Sequence, residues 1–167
     1  MPMKNSEILQ TLRKIADYQF GKGAGDKLFP DGVSFTVSKK TGRVRQIQYE
    51  GKLIATLNPL SGLFNLTIEG AKRLIEEGRV KLRWVKVQDD VASFIEKGGD
   101  VFAKHVVDAD EEIRPMEEVV VLNSRNEVIA VGKAILSGME IRDFTKGIAV
   151  RVRRGRLEKN KKGNVTK

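Results

Sequence analysis

The first 78 residues alternate between helical and strand periodicity. Ile8, Leu12 and Ile15, with Leu9 and Ala16, fall on one helical face, and Asn5 or Ser6 can cap a helix beginning near Glu7. Gly21-Lys22-Gly23-Ala24-Gly25 is too rich in glycine to continue it and reads as a loop. Three strand-like runs follow: 33–37, 43–49 and 53–57. The turn signals Lys40-Thr41-Gly42 and Glu50-Gly51 separate them, as in an antiparallel meander. Asn58-Pro59 and Ser61-Gly62 break the pattern. Thr67 can then cap a helix carrying Ala71, Leu74 and Ile75 and closed by Gly78.

Beyond residue 79 the pattern turns mostly to strands. Runs at 82–87, 101–107, 117–122, 128–136 and 147–153 surround one short helix, which starts at Asp89-Asp90 and stops at Gly98-Gly99. Trp84, Phe94 and Phe102 read as core aromatics. Many short strands with tight turns predict a small β-barrel rather than a doubly wound sheet. The predicted class is α+β: an N-terminal α/β domain (1–78, helix, three-stranded antiparallel meander, helix), a small mixed β-barrel (79–155), and a flexible basic tail (156–167).

Composition narrows the chemistry. Apolar residues make up 40% and charged residues 32%, a globular balance. Cysteine is absent and His105 is the single histidine. Disulfides, thiolate catalysis and Cys-ligated zinc are thereby excluded. The paired carboxylates Asp89-Asp90, Glu111-Glu112 and Glu117-Glu118 are poor acid–base pairs, because neighbours on a strand point apart and a helix start favours acids. No catalytic residue, cofactor or metal site is expected. No membrane span and no secretion signal can be read from the sequence, so a cytoplasmic protein is expected.

The net charge is +9. Residues 1–78 carry 12 Lys/Arg against 8 Asp/Glu, 79–154 carry 14 against 13, and 155–167 carry 5 against 1. This balance suits a polyanion, of which nucleic acid is the commonest. On the last strand, Ile148, Val150 and Val152 would face the core, and Ala149, Arg151 and Arg153 the other side, with Arg154 at the end. Such guanidiniums can fork onto phosphate oxygens, although the same pattern describes an ordinary solvated face. Lys97-Gly98-Gly99, with Lys104 and His105 beyond, places donors beside a turn where a backbone could meet a ligand. It equally describes a simple helix C-cap.

Residues Gly98-Gly99-Asp100-Val101-Phe102-Ala103-Lys104, Ile113-Arg114-Pro115-Met116-Glu117-Glu118-Val119-Val120-Val121, Val131-Gly132-Lys133-Ala134 and Gly147-Ile148-Ala149-Val150-Arg151-Val152-Arg153 resemble the PUA domain. Upstream, Ala16-Asp17-Tyr18-Gln19-Phe20-Gly21, Ser38-Lys39-Lys40-Thr41-Gly42-Arg43 and Gly62-Leu63-Phe64-Asn65-Leu66-Thr67-Ile68-Glu69-Gly70-Ala71 are similar to the segment that precedes PUA in archaeal tRNA-guanine (archaeosine) transglycosylases. That family's catalytic barrel and zinc cysteines are missing from this sequence.

The resemblance implies RNA binding, with tRNA the leading ligand, through Lys97, Gly98, Gly99, Lys104, His105, Arg151, Arg153 and Arg154. It places the chain in tRNA modification, with an RNA-modifying enzyme subunit as a further partner. A factor binding ribosomal RNA and a protein–protein adaptor are the alternatives.

Overall fold

Helix α1 spans Asn5–Phe20 and buries Leu12, Ala16 and Phe20, one residue per turn. No side chain caps it: Lys4 is the N-cap, and Asn5 and Ser6 lie inside the first turn instead of before it. That turn is exposed, so solvent can serve its free N–H groups. The computed structural model describes residues 4–75 and 82–159 of the chain.

The glycine-rich segment after α1 is partly helical. Helix α2 spans Ala24–Leu28. A Cβ on Gly25 would lie 2.3 Å from the Arg13 carbonyl oxygen, and the Gly25 N–H donates to Asp17 Oδ1 at 2.7 Å. Glycine is there so that α2 can press against α1, and this packing overrides its poor helix propensity.

Four strands follow, one more than expected: β1 (Ser34–Val37), β2 (Val44–Tyr49), β3 (Lys52–Leu57) and β4 (Phe64–Leu66). They pair antiparallel in the order β1-β2-β3-β4. The Asn58–Gly62 stretch is a hairpin turn and not a break, because the Asn58 N–H donates to the Leu63 oxygen and Asn58 Oδ1 accepts from the Leu60 N–H. Thr67 caps α3 (Ile68–Ile75) by accepting from the Gly70 N–H at 3.1 Å, and its hydroxyl donates to the Leu53 oxygen at 2.7 Å. The expected stop at Gly78 lies outside the described residues.

One sheet face packs on the helices. Ile47, Ala55, Phe64 and Leu66 are buried there with Phe20, Leu28, Phe29 and Leu74, and Phe29 meets Phe64 edge-on at 5.0 Å. Each large side chain removed from water contributes about 1.5–3 kcal/mol. The Gln19 amide clamps the edge strand by donating to the Phe64 oxygen and accepting from its N–H.

The chain divides into two compact units, Met1–Leu82 and Arg83–Lys167. The second contains β5 (Arg83–Val87), α4 (Asp89–Glu96), β6 (Val101–Phe102), a 3-10 turn (Ala103–His105), β7 (Val106–Ala109), β8 (Glu118–Leu122), β9 (Val128–Ala134), α5 (Gly138–Asp143) and β10 (Ile148–Gly155). Its sheet runs β6-β10-β9-β8-β5-β7, with β5–β8 parallel and the other pairs antiparallel. The two end strands, β6 and β7, are consecutive in the chain. The sheet is therefore a nearly closed mixed barrel around Val85, Ile95, Val101, Val121, Ile129 and Val150.

This closure breaks the continuous strand expected over 101–107. β6 pairs with β10 and β7 with β5, at opposite ends of the sheet order, so the chain must turn across the rim between them. The connection expected at Ser137-Gly138 is a helix, α5, held by a capping box between Ser137 and Glu140. Where residues of the expected tail are described, they are docked: Leu157 N–H donates to the Glu96 oxygen, and Arg156 pairs with the Glu96 carboxylate.

Candidate nucleic-acid interface

Gly98 and Gly99 form a Schellman close on α4. The Gly98 N–H donates to the Ile95 oxygen and the Gly99 N–H to the Phe94 oxygen, with Gly98 at φ +105°. Both glycines have intramolecular reasons to be there. A Cβ on Gly99 would lie 2.2 Å from the Phe94 ring, and one on Gly98 would meet Glu158 Oε1 at 2.9 Å. Phe94 thus lies over the turn and is 57% exposed, and Phe102 is 36% exposed, so neither is the core aromatic expected. At helical spacing an apolar residue reads as buried, but here its support is a backbone without side chains.

Asp100 fastens this turn to β10. Its Oδ1 accepts the Val152 N–H at 2.9 Å, and its Oδ2 lies 3.7 Å from Arg151 Nη1. Arg151 keeps 62% of its side chain exposed. Arg154 reaches Glu158: its Nη2 donates to the backbone oxygen at 3.1 Å, and Glu158 Oε1 accepts from Gly155 N–H. Gly98, Gly99, Arg151 and Arg154 are therefore joined through Asp100 and Glu158. Lys97 is exposed at the end of α4.

Simple alternation along β10 does not hold. Ala149 and Val150 are both buried, with a register irregularity against β6 between Ile148 and Val150. Against β9, Val152 pairs with Gly132 and Arg154 with Val131, so Arg153 is the extra residue of a bulge. Its guanidinium takes both oxygens of Glu118, whose side chain is 1% exposed, and Lys133 Nζ lies 3.6 Å from the same carboxylate. Arg151 and Arg153 thus differ in kind: one points to solvent beside the glycine turn, the other satisfies a buried charge. Glu118 and Lys133 were not legible as partners, because they meet only through the pairing of β8, β9 and β10.

Lys104 and His105 occupy the rim turn after β6. Lys104 is exposed; the half-buried His105 ring meets Phe102 edge-on at 6.2 Å, and its carbonyl accepts the Gln88 N–H. They stand at the Gly147 end of β10, where Ala103 N–H bonds the Gly147 oxygen, whereas Arg151 stands near Asp100 at the other end of β6. Arg151 thus stands beside the glycine turn, and Lys104 and His105 stand at the rim. Among the described residues, no three His, Asp or Glu side chains cluster as a metal site.

A glycine-capped helix, a rim turn and a long arginine-bearing last strand on a nearly closed mixed barrel define the PUA class, and residues 83–156 match the PUA domain model. Residues 10–78 match the patch-forming domain C2 of tRNA-guanine transglycosylase. The second unit is thus a PUA domain, and over both units the chain resembles the C-terminal region of archaeal tRNA-guanine(15) transglycosylase. It is 45% identical over 152 residues to that protein of Thermococcus kodakarensis, covering 91% of this chain and 26% of the relative. With that of Pyrococcus furiosus it shares 44% over 158 residues, covering 95% and 26%. The chain spans about a quarter of the length of these relatives. In fold it is similar to a hypothetical protein from Pyrococcus horikoshii, with TM-score 0.73, 21% identity and 98% of each chain covered.

Proposed function

We propose that this chain binds structured RNA, tRNA first, through its PUA unit, and serves tRNA modification beside a catalytic partner rather than by chemistry of its own. One observation carries this reading: the exposed Arg151 guanidinium stands beside the Gly98-Gly99 turn, in a unit whose relatives are named for a tRNA-modifying activity. Lys97, Lys104, His105 and Arg154 complete the proposed surface, and Arg153 supports it by pairing with Glu118. Contacts of this kind read backbone and shape more than base edges.

The test is fluorescence-anisotropy binding to a tRNA transcript with and without its 3′ CCA end, at low and near-physiological salt. Saturable binding that survives salt, depends on the CCA end and falls at least tenfold in Arg151→Glu supports the reading. Binding that vanishes with salt and ignores both changes refutes it and directs the search to ribosomal RNA or a protein partner.

A further inference from the structure

Among the described residues, the densest run of unpaired positive charge lies in the other unit, at the turn between β1 and β2. Lys39, Lys40, Arg43 and Arg45 fall within seven residues that contain no acid. All four are exposed, and none has an ion-pair partner among the described residues. The turn that carries them is closed by its own hydrogen bonds. Ser38 N–H donates to the Arg43 oxygen and Gly42 N–H to the Ser38 oxygen, both at 2.8 Å. Ser38 Oγ accepts from the N–H groups of Lys40 and Thr41, and Thr41 Oγ1 from that of Arg43. Thr36 pairs with Gln46 and Val37 with Val44, which leaves Arg45 as a bulge residue with a re-aimed side chain.

The sheet face beside this turn is polar across its whole width. Thr36, Gln46, Thr56 and Asn65 stand directly opposite one another on β1, β2, β3 and β4, on the side away from Ile47, Ala55 and Leu66. Arg45, Gln46, Thr56, Asn58 and Asn65, together with the apolar Leu57, Pro59 and Leu60, line an open hollow of about 380 Å³. The row offers the hydroxyls of Thr36 and Thr56 and the carboxamide of Gln46, which donate and accept, and no aromatic ring, whereas Asn65 Oδ1 is buried.

We infer that the β1–β2 turn and this polar row form a second RNA contact that grips the ribose-phosphate backbone of a base-paired segment. Four exposed cations on one turn match phosphates, and the hydroxyl and amide row matches phosphate and 2′-hydroxyl groups. A single-stranded ligand would call for rings on which bases stack, and the row has none. The turn's own hydrogen bonds set the backbone that carries the cations before binding, which limits the backbone part of the ordering cost. This contact adds to the RNA reading above but needs none of the PUA residues.

The experiment uses the full chain and a blunt RNA duplex of about 20 base pairs, which offers no single-stranded 3′ end to the PUA unit. Binding is measured against KCl concentration for the wild type and for Lys39→Gln/Lys40→Gln/Arg43→Gln/Arg45→Gln. A matched control removes four exposed lysines elsewhere in the same unit: Lys4→Gln/Lys14→Gln/Lys22→Gln/Lys72→Gln. A thermal melt establishes that each variant is folded.

The expected result is at least a tenfold loss at low salt for the turn variant. Its slope of log K on log salt should be shallower by about 3, since each lost phosphate contact removes roughly 0.7–0.9. The control should lose far less. An unchanged turn variant, or an equal loss in the control, would overturn the inference. So would an equal loss on single-stranded oligo(U). Failure of the PUA reading shows separately, as CCA-independent tRNA binding with the duplex result intact.

Discussion

Arg153 binds Glu118 with both prongs of its guanidinium, across 35 positions of sequence, Nη1 lying 3.0 Å from Oε1. The carboxylate is buried and the arginine about one-third exposed. Removing the two partners therefore has unequal consequences. Arg153→Ala leaves the buried carboxylate with Lys133 at 3.6 Å but without its two-pronged partner, and should cost about 2 kcal/mol. Glu118→Gln leaves cations that can turn toward water and should cost about 1 kcal/mol. Urea midpoints of the two variants check the order. Arg153→Glu would set two carboxylates together, so it is unsuitable as a test of RNA contact, and Arg151→Glu is the cleaner probe.

The glycine contacts of α4 rank in the same way. A Cβ at position 155 would lie 2.3 Å from the Glu96 oxygen and 2.6 Å from that of Ile95, both rigid backbone atoms. Gly155→Ala should cost about 2–3 kcal/mol, at the upper end for overpacking. At Gly99 the obstacle is the half-exposed Phe94 ring, which can swing aside, so Gly99→Ala should cost nearer to about 1 kcal/mol. Thermal melts of both proteins would decide the ranking.

Asp100 has two separable roles. Asp100→Asn keeps an acceptor for the Val152 N–H but removes the negative charge beside Arg151. RNA affinity should rise a fewfold with little change in stability. Asp100→Ala deprives the Val152 N–H of its acceptor and should cost about 1–2 kcal/mol. Anisotropy titrations run beside urea melts separate the two effects.

How far sequence reaches is clear from these residues. Helices α1, α3 and α4 and the three longer strands of the first sheet follow from periodicity and turn chemistry, and so does the alternation that points Glu117 and Glu118 apart. Glu117 in fact accepts from the Arg114 N–H and pairs with Arg83, while Glu118 faces Arg153. Helix α2 escaped because Gly25 signals flexibility locally, and its true reason is the nearness of Arg13 in another helix. The three-residue strand β4 is too short for a period to register. At the candidate site, the sequence names the cations one by one. Which of them is neutralised it does not tell, because pairing across β8, β9 and β10 decides it.

The turn between β8 and β9 gives a pH prediction. Asn123 Nδ2 donates to Glu127 Oε1 at 2.7 Å, and Asn123 Oδ1 accepts from the Arg125 and Glu127 N–H groups. The Asn123 hydrogen bond first, and then the Arg125 charge, hold the Glu127 carboxyl below its ordinary range. A depressed folded-state pKa stabilises the fold above the unfolded value and stops doing so as pH falls through the folded one. On acidification below about pH 4.3, the wild type should lose more stability than Glu127→Gln. Urea midpoints at pH 7 and pH 3 measure the difference.

The adjacency of β6 and β7 in the chain bears on how copies of this protein avoid one another. A sheet that ends where its own chain turns the corner offers a second molecule little backbone with which to continue it. Intermolecular strand addition, the usual first step toward fibrils, is left to the other sheet, whose outer strands β1 and β4 are four and three residues long. The lysines just past β1 repel a like-charged copy at that margin. Salt that screens them should shorten the protein's colloidal lifetime before it touches its folded stability.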